Sequence, residues 1–577
     1  MKILLKYLKQ YYIPFLAAII CLSLETFIDL LQPTFMSRIV DIGVAAKDLD
    51  YIMKTGFIML GITGAGAIMA IARSILATTI SQKVGASLRL WLFTKVQSLS
   101  LKDIDNFDTG SLITRLTNDV TQVQNFVMGI MRIFVKAPLL FIGSIIMTFV
   151  LSPKMAFIIV ILIPIISFLM YLNLKKAYPF FARVQRALDK VNIKMREYLQ
   201  GVRVVKAYNQ FDYEKESFDE VNLRLQETSK QSMELVAIFL PLITLVVNLG
   251  IVFILWLGGM EINKGNLQVG KIIAIVNYMI QILTSLIMIS NIITTLVRTM
   301  TSLERIEDVL DTEDTITYDN QKDNWKIEKG RIDFINVHAS YSKNTESNVL
   351  NDISFTCMPG ETLGIIGSTG SGKTTLVHLI MGYYDYIKGS IKIDGQDISH
   401  INPKLIRNQV AIVSQKALLF SGTIKENILW GKKDASMDEI KNAAKIAQAH
   451  DFIDSFKGGY DTYLGQGGVN LSGGQKQRIS IARAIIKRPK ILILDDSTSA
   501  VDVTTEAKIR KGIGDFSKDM TTIIIAQRIQ SIMGADQILV LENGEVVGKG
   551  NHEELIESCK VYQDIYDSQI GRTATVS

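Results

Sequence analysis

The sequence predicts a helical membrane domain over the first 300 residues, followed by an α/β domain. Three observations carry that prediction. Six long, charge-poor apolar segments fall before residue 300, and short β-rich runs alternate with helical stretches after residue 330. The chain has 577 residues, more than one hydrophobic core organises. Apolar residues make up 48% of it and its mean hydropathy is positive, which separates it from ordinary soluble proteins.

A bilayer core requires about 20 apolar residues in helical form. The segments that meet this are 13–36, 56–80, 126–150, 155–174, 233–259 and 269–297. Pro164 and Pro241 fall inside the fourth and fifth, where neighbouring helices can satisfy the freed carbonyls. The amino terminus, MKILLKYLKQYY, is basic and amphipathic, with no small-residue cleavage site after it. It reads as an interfacial helix leading into the first span. The stretch 175–230 holds twelve Lys and Arg residues, whereas the loop between the third and fourth spans holds only Lys154. Basic loops face the cytoplasm, so both termini are expected there.

The long segments 81–125 and 175–232 contain little Gly or Pro. Apolar residues recur in them at helical spacing, as at Leu88, Trp91, Leu92 and Val96. They are expected to be helices that continue out of the membrane, reaching roughly 40 Å at 1.5 Å per residue. The turns NFDTGS (106–111) and NQFDYEKES (209–217) would lie at the far ends, as contact points or plain surface turns. Residues 301–330 turn acidic and polar, which predicts a linker ahead of a 331–577 domain.

Charges inside the apolar segments leave two readings open. Glu25 and Asp29 share one face of the first span, and Arg132 and Lys136 one face of the third. Ionisable groups at membrane depth are costly and face a cavity or one another. The acids are therefore either cation-recruiting groups of a translocation pathway, half of an ion-pair ladder between spans one and three, or side chains that snorkel to headgroup level. Asn248, Asn277, Gln281 and Asn291 are polar positions able to face the same cavity. The methionines at 279, 288 and 300 read as packing.

Composition excludes other classes. The formal net charge is only +6, and the basic residues cluster at membrane flanks, which argues against nucleic-acid binding. Cys21, Cys357 and Cys559 lie far apart without metal-ligand spacing, so neither a disulfide framework nor a zinc site is expected.

In the second half, the β-type segment 362–366 leads into Gly367, Ser368, Thr369, Gly370, Ser371, Gly372, Lys373, Thr374 and Thr375, and then a helical pattern. Glycines let backbone amides close around phosphate oxygens, and the helix amino terminus adds positive potential. Lys373 would reach the β- and γ-phosphates, and the Thr374 hydroxyl would ligate Mg²⁺. A second apolar strand, Ile491 to Leu494, ends in Asp495 and Asp496. The first of these carboxylates is placed to hold Mg²⁺.

The run LSGGQKQRISIARAI (471–485) resembles the signature loop of ATP-binding cassette (ABC) transporters. Other matches follow in family order, and the resemblance spans nearly the whole chain. It implies that Tyr341 stacks on adenine and that Gln415 links Mg²⁺ to the membrane domain. It also implies that 499–502 forms the loop crossing the cassette interface. Two cassettes close head-to-tail in this family, so Ser472, Gly473, Gly474 and Gln475 would meet ATP held by a partner chain. The membrane half resembles that of type I exporters (the type IV ABC fold). In particular the chain resembles one subunit of heterodimeric bacterial multidrug exporters in the plasma membrane.

The sequence departs from the family pattern at three places. Asp496 stands where a competent cassette has Glu, one methylene shorter toward the attacking water. Gln527 stands where the family has a histidine that contacts the γ-phosphate; His552 is too distal to replace it. The segment GQGG (465–468) replaces a charged GERG-like one. With Lys373, Asp495 and Ser472 intact, this predicts a chain that binds ATP but hydrolyses it slowly. Its signature loop would complete a competent site on a non-identical half-transporter. A working homodimer that tolerates Asp and Gln is the alternative. The expected function is ATP-driven export of amphipathic or lipophilic compounds, with a lipid or peptide exporter, an ATP-gated channel or a regulatory subunit as alternatives. No peptidase segment precedes the first span, so leader-peptide processing is not expected.

Overall fold

The computed structural model describes residues 9–312, 325–341, 348–516 and 519–571. The expected interfacial helix falls largely on residues 1–8 and much of the expected linker on 313–324, both outside the described residues. The chain divides into two compact units: Met1–Gln97 with Thr109–Thr312, and Ser98–Asp108 with Glu313–Ser577.

Among the described residues six helical stretches are long and apolar enough to cross a membrane: Tyr12–Val44, Leu49–Ser98, Thr109–Leu151, Pro153–Ala207, Phe211–Asn263 and Val269–Leu310. The second, fourth and fifth run far beyond their apolar cores, in line with the periodicity of 81–125 and 175–232. The far turns are shorter than expected. Helix resumes at Thr109 after the turn at 106–108, and at Phe211 after 208–210, so most of NQFDYEKES is helical. Pro164, Pro179 and Pro241 sit within helices, and π-helical turns interrupt the third stretch at Arg115–Asp119 and Ile130–Phe134. The sixth helix continues to Leu310, through residues that the sequence assigned to a linker. Leu303, Ile306 and Val309 explain the extension: buried at three-residue spacing, they form an apolar stripe beneath the acidic surface.

Specific ties hold these helices together. Tyr278 of the sixth donates to the Leu30 carbonyl of the first at 2.6 Å, and one residue away Gln281 donates at 3.3 Å to the Asp29 carbonyl, which Pro33, lacking an N–H, leaves without its helical partner. Farther along the sixth helix, Arg305 and Ser302 reach Asp119 of the third at 2.6 and 2.8 Å.

Among the described residues the second unit holds three sheets, the smallest pairing β7 at Gly422–Thr423 with β8 at Tyr463–Leu464. The four-stranded antiparallel one has the order β2-β1-β4-β5, with β1 at Ile332–Ala339, β2 at Leu350–Cys357, β4 at Lys388–Ile393 and β5 at Gln396–Asp397. The largest one has the order β12-β11-β3-β10-β9-β6. Its strands are β3 at Thr362–Gly367, β6 at Val410–Val413, β9 at Ile491–Asp495, β10 at Thr521–Ile525, β11 at Gln537–Glu542 and β12 at Glu545–Gly550. From β6 to β11 it is parallel. Parallel strands bury both faces and read as continuous apolar runs, as in the run 491–494 of β9, where every residue is buried. Each fully buried Ile or Leu there contributes roughly 1.5–3 kcal/mol. Helices α1 (Lys373–Ile380), α2 (Gly473–Ile485) and α3 (Val503–Phe516) belong to this unit.

Candidate functional site

In an open parallel sheet, ligands bind outside the carboxyl ends of the strands. Strand β10 lies between β3 and β9, and Ile525 pairs with both Ile365 and Asp495. The glycine-rich loop after β3, Gln527 after β10, and Asp495 and Asp496 at the end of β9 therefore open on one edge.

The loop turns into α1 at Gly372, whose φ of 94° lies in the left-handed region. A Cβ there would come within 2.5 Å of the Leu350 side chain, so only glycine fits. The Lys373 ammonium folds back over the loop, donating to the Gly367 and Ser368 carbonyls at 3.0 and 2.6 Å and to the Ser371 hydroxyl at 3.4 Å. Burial lowers its pKa, against the opposing pull of Asp495 and Asp496. Its hydrogen-bond acceptors are uncharged, which leaves the cation free to bind a polyanion. Thr374 donates to Asp495 at 3.5 Å, bringing a hydroxyl and a carboxylate together. That oxygen pair fits a hard cation whose other ligands are phosphate oxygens and water. Among the described residues, no group of three or more His, Cys, Asp or Glu forms a metal cluster.

Asp496 adopts φ 46° and its amide donates to the Ile525 carbonyl at 2.9 Å. The side-chain amide of Gln415 donates to its carboxylate at 2.8 Å. Burial pushes the Asp496 carboxyl above its ordinary range, partly offset by Gln415 and by the Gln527 backbone amide. Burial likewise raises Asp495, with Thr374 pulling it down. The Gln527 side chain is exposed. His552 shares a 2.7 Å bond with Tyr562 in the carboxyl-terminal helices.

Ser472 caps α2, accepting from the Gln475 amide at 3.3 Å while the Gln475 side chain accepts from the Ser472 amide at 2.9 Å. This capping box leaves Ser472 and Gly473 exposed at the helix tip. Gly474 has a separate reason: a Cβ there would sit 2.8 Å from the Ala500 carbonyl.

Sequence reasoning missed two residues. Buried Gln477 donates to the Gln415 carbonyl at 3.3 Å and accepts from the Ala500 amide at 3.2 Å, joining α2 to both neighbouring loops. The repeated Gln in GGQKQ was its only signal. Tyr384 packs edge-on against Tyr341 at 4.9 Å and donates to Asp105 of the short helix Leu101–Asp105. Burial, then Asp105, push its phenol far above the ordinary range. Tyr341, the expected adenine platform, keeps an exposed ring and shares a 2.9 Å bond with Thr375.

Comparison with known proteins places this geometry. Residues 15–286 match the ABC transporter transmembrane region, and residues 350–499 match the ABC transporter domain. The Bacillus subtilis ABC transporter ATP-binding protein YfiB is 41% identical over 575 residues, covering 99% of each chain. The chain belongs to the ABC transporter family. A second Bacillus subtilis relative, named putative multidrug export ATP-binding/permease protein YgaD, is 34% identical over 98% of this chain and 97% of its own. A bacterial Atm1-family ABC exporter solved with ATP bound shares the fold, with a TM-score of 0.81 at 24% identity, over 97% of this chain and 99% of that one. This chain's described residues thus combine six helices apolar enough to cross a membrane with one ABC transporter ATP-binding domain, and ATPase-coupled transport follows from that domain.

In this transporter GQGG forms a tight turn over Gln466–Gly468, with Gly467 and Gly468 both in the left-handed region at φ 64°. Within the membrane unit, Lys136 bridges Glu25 at 2.7 Å and Asp29 at 2.9 Å, while Arg73 of the second span binds Glu25 at 2.7 Å. The ladder thus draws its second cation from Arg73, which the sequence reading had not considered. Arg132 instead points its guanidinium toward the Met128 sulfur at 3.9 Å. Gln281 donates to the Asp29 carbonyl at 3.3 Å and accepts from Ser144 at 3.1 Å. Asn277 bonds its own helix at the Ile273 carbonyl, and Asn248, Asn277 and Asn291 are exposed on the single chain, apart from that network.

Proposed function

We propose that this chain is the slow-hydrolysing half of a heterodimeric exporter of amphipathic or lipophilic compounds, resident in a bacterial plasma membrane with its ATP-binding domain in the cytoplasm. The observation that carries the reading is a divided site. Lys373, Thr374 and Asp495 keep what ATP and Mg²⁺ binding requires, whereas Asp496 and Gln527 replace the groups that activate water. Mg²⁺, held by Thr374 and Asp495 with Gln415 nearby, would neutralise charge on the β- and γ-phosphates. Lys373 binds the same phosphates, and Tyr341 offers its ring to the base. Asp496 carries a carboxylate one methylene short of the reach a general base needs, and Gln415 already engages it. The exposed tip at Ser472 and Gly473 is suited to meet nucleotide on a second cassette. The name of YgaD supports a multidrug-type substrate range.

The reading is tested by isolating the transporter from its own host and weighing it intact by native mass spectrometry. A complex of this chain with a different half-transporter, carrying Glu and His at the matching positions, is expected. Homodimers alone, with full ATPase activity, would overturn it.

A further inference from the structure

The fourth and fifth helices line a half-open cavity of about 550 Å³, with Arg183, Arg186 and Lys190 from one and Arg224, Thr228 and Gln231 from the other. The spacings place each triplet on a single helical face, so two polar stripes look at each other. Four cations thus surround one space, and no carboxylate is among its walls. Asp189 is engaged by Gln185 at 3.1 Å instead. Among the described residues none of the four forms an ion pair: Arg186 donates to its own helix at the Ala182 carbonyl, 3.3 Å away, and Arg183 lies 5.1 Å from the Phe180 ring centre. Like charges held around one cavity repel one another, and an anion between them removes that cost.

Depth narrows the anion. Gln231 lies two residues before the apolar stretch that begins at 233, and Arg183 lies nine residues, about 14 Å of helix, past the one that ends at 174. The Arg183 and Gln231 end of the cavity is therefore the end nearest the headgroups, and arginine stems reach toward them. Guanidinium groups pair with phosphate oxygens in a bidentate manner.

We propose that this cavity binds the phosphate of an anionic membrane-lipid headgroup, a site separate from the ATP-binding domain. The shared chemistry, a phosphate group, could also arrive as a free ion, so the test separates the sources. The complete transporter, purified with its partner, is titrated with phosphatidylglycerol in phosphatidylcholine nanodiscs, and bound lipid is counted by native mass spectrometry. Each basic residue contributes about fivefold near an anionic surface, so R186Q/R224Q should weaken retention about thirtyfold. The R203Q/K206Q control removes the same charge from the fourth helix outside the cavity and should stay within about twofold. R186K/R224K, which keeps the charge, should hold more lipid than the glutamine pair. Equal retention by R186Q/R224Q and the wild type would overturn the proposal. So would equal loss in the control, or a lysine pair as impaired as the glutamine pair. Displacement of the lipid by millimolar inorganic phosphate would assign the cavity to a soluble anion instead and overturn the lipid assignment.

Discussion

Asp496 differs from glutamate by one methylene, and that difference is where the proposed slow hydrolysis originates. A positioned general base is worth roughly 10²–10⁴-fold, so Asp496→Glu should raise hydrolysis at this chain's own site by about tenfold or more. Single-turnover assays with the partner's base removed would read this directly, and an unchanged rate would refute it. The same logic predicts an asymmetry between two alanine variants. Asp496→Ala removes a base that already works poorly and should lower complex turnover less than about threefold. Ser472→Ala strips a hydroxyl that the partner's site is proposed to use, and should cost roughly tenfold to a hundredfold in steady-state ATPase activity. If Asp496→Ala silenced the complex as thoroughly as Ser472→Ala, the two sites would be equivalent and the divided-site reading would fail.

Single residues also fasten elements, and Asp394 gives a prediction at that scale. Its carboxylate, in the turn after β4, accepts from the amides of Glu328, Lys329, Gly330 and Arg331 at 2.8 to 3.0 Å. Burial alone would raise its pKa, but these backbone bonds outweigh it and hold the carboxyl below its ordinary value. A lowered acid pKa means stability that is present above the unfolded-state value and is lost as pH falls through the folded-state value. Asp394→Ala should therefore destabilise the ATP-binding domain by about 1–3 kcal/mol at neutral pH, since four amides lose a charged acceptor. The gap from wild type should close as the pH falls below about 4. Urea unfolding at several pH values checks both claims, and a pH-independent gap would refute the second. How far such features are legible in sequence depends on the range of the interaction. The six spans were legible because exclusion from water acts on a continuous run of one segment. So was the glycine-rich loop, whose chemistry lies within eight consecutive residues. Arg73 was not, because its partner lies 48 residues away on another helix and nothing local marks the pairing. Gln477 and Tyr384 were missed for the same reason: their bonds run to Gln415, Ala500 and Asp105, distant in sequence. The end of the sixth helix was misread for another cause. Its acidic surface hid the stripe of Leu303, Ile306 and Val309 beneath.

For the whole transporter, a site that binds ATP well and hydrolyses it slowly acts as a tether. Nucleotide held by Lys373, Thr374 and Asp495 would persist through several cycles at the competent site, because Asp496 and Gln527 supply little to remove it. Two cassettes kept partly together need not find each other afresh, which lowers the entropic cost of each closure. Lys373→Ala should then impair transport by loosening the pair, even though hydrolysis at this site contributes little to turnover. Asp496→Glu should also shorten the tether's lifetime, since faster hydrolysis empties the site sooner. Both effects are measured by loading the complex with labelled ATP, diluting rapidly into nucleotide-free buffer, and following release. Spin labels on the two cassettes report their separation in parallel. Retention at this site is expected to outlast that at the competent site by about tenfold or more, the factor by which the weaker base slows removal. The cassettes should stay partly associated throughout. Equal release from both sites, with full separation in every cycle, would rule out the tether.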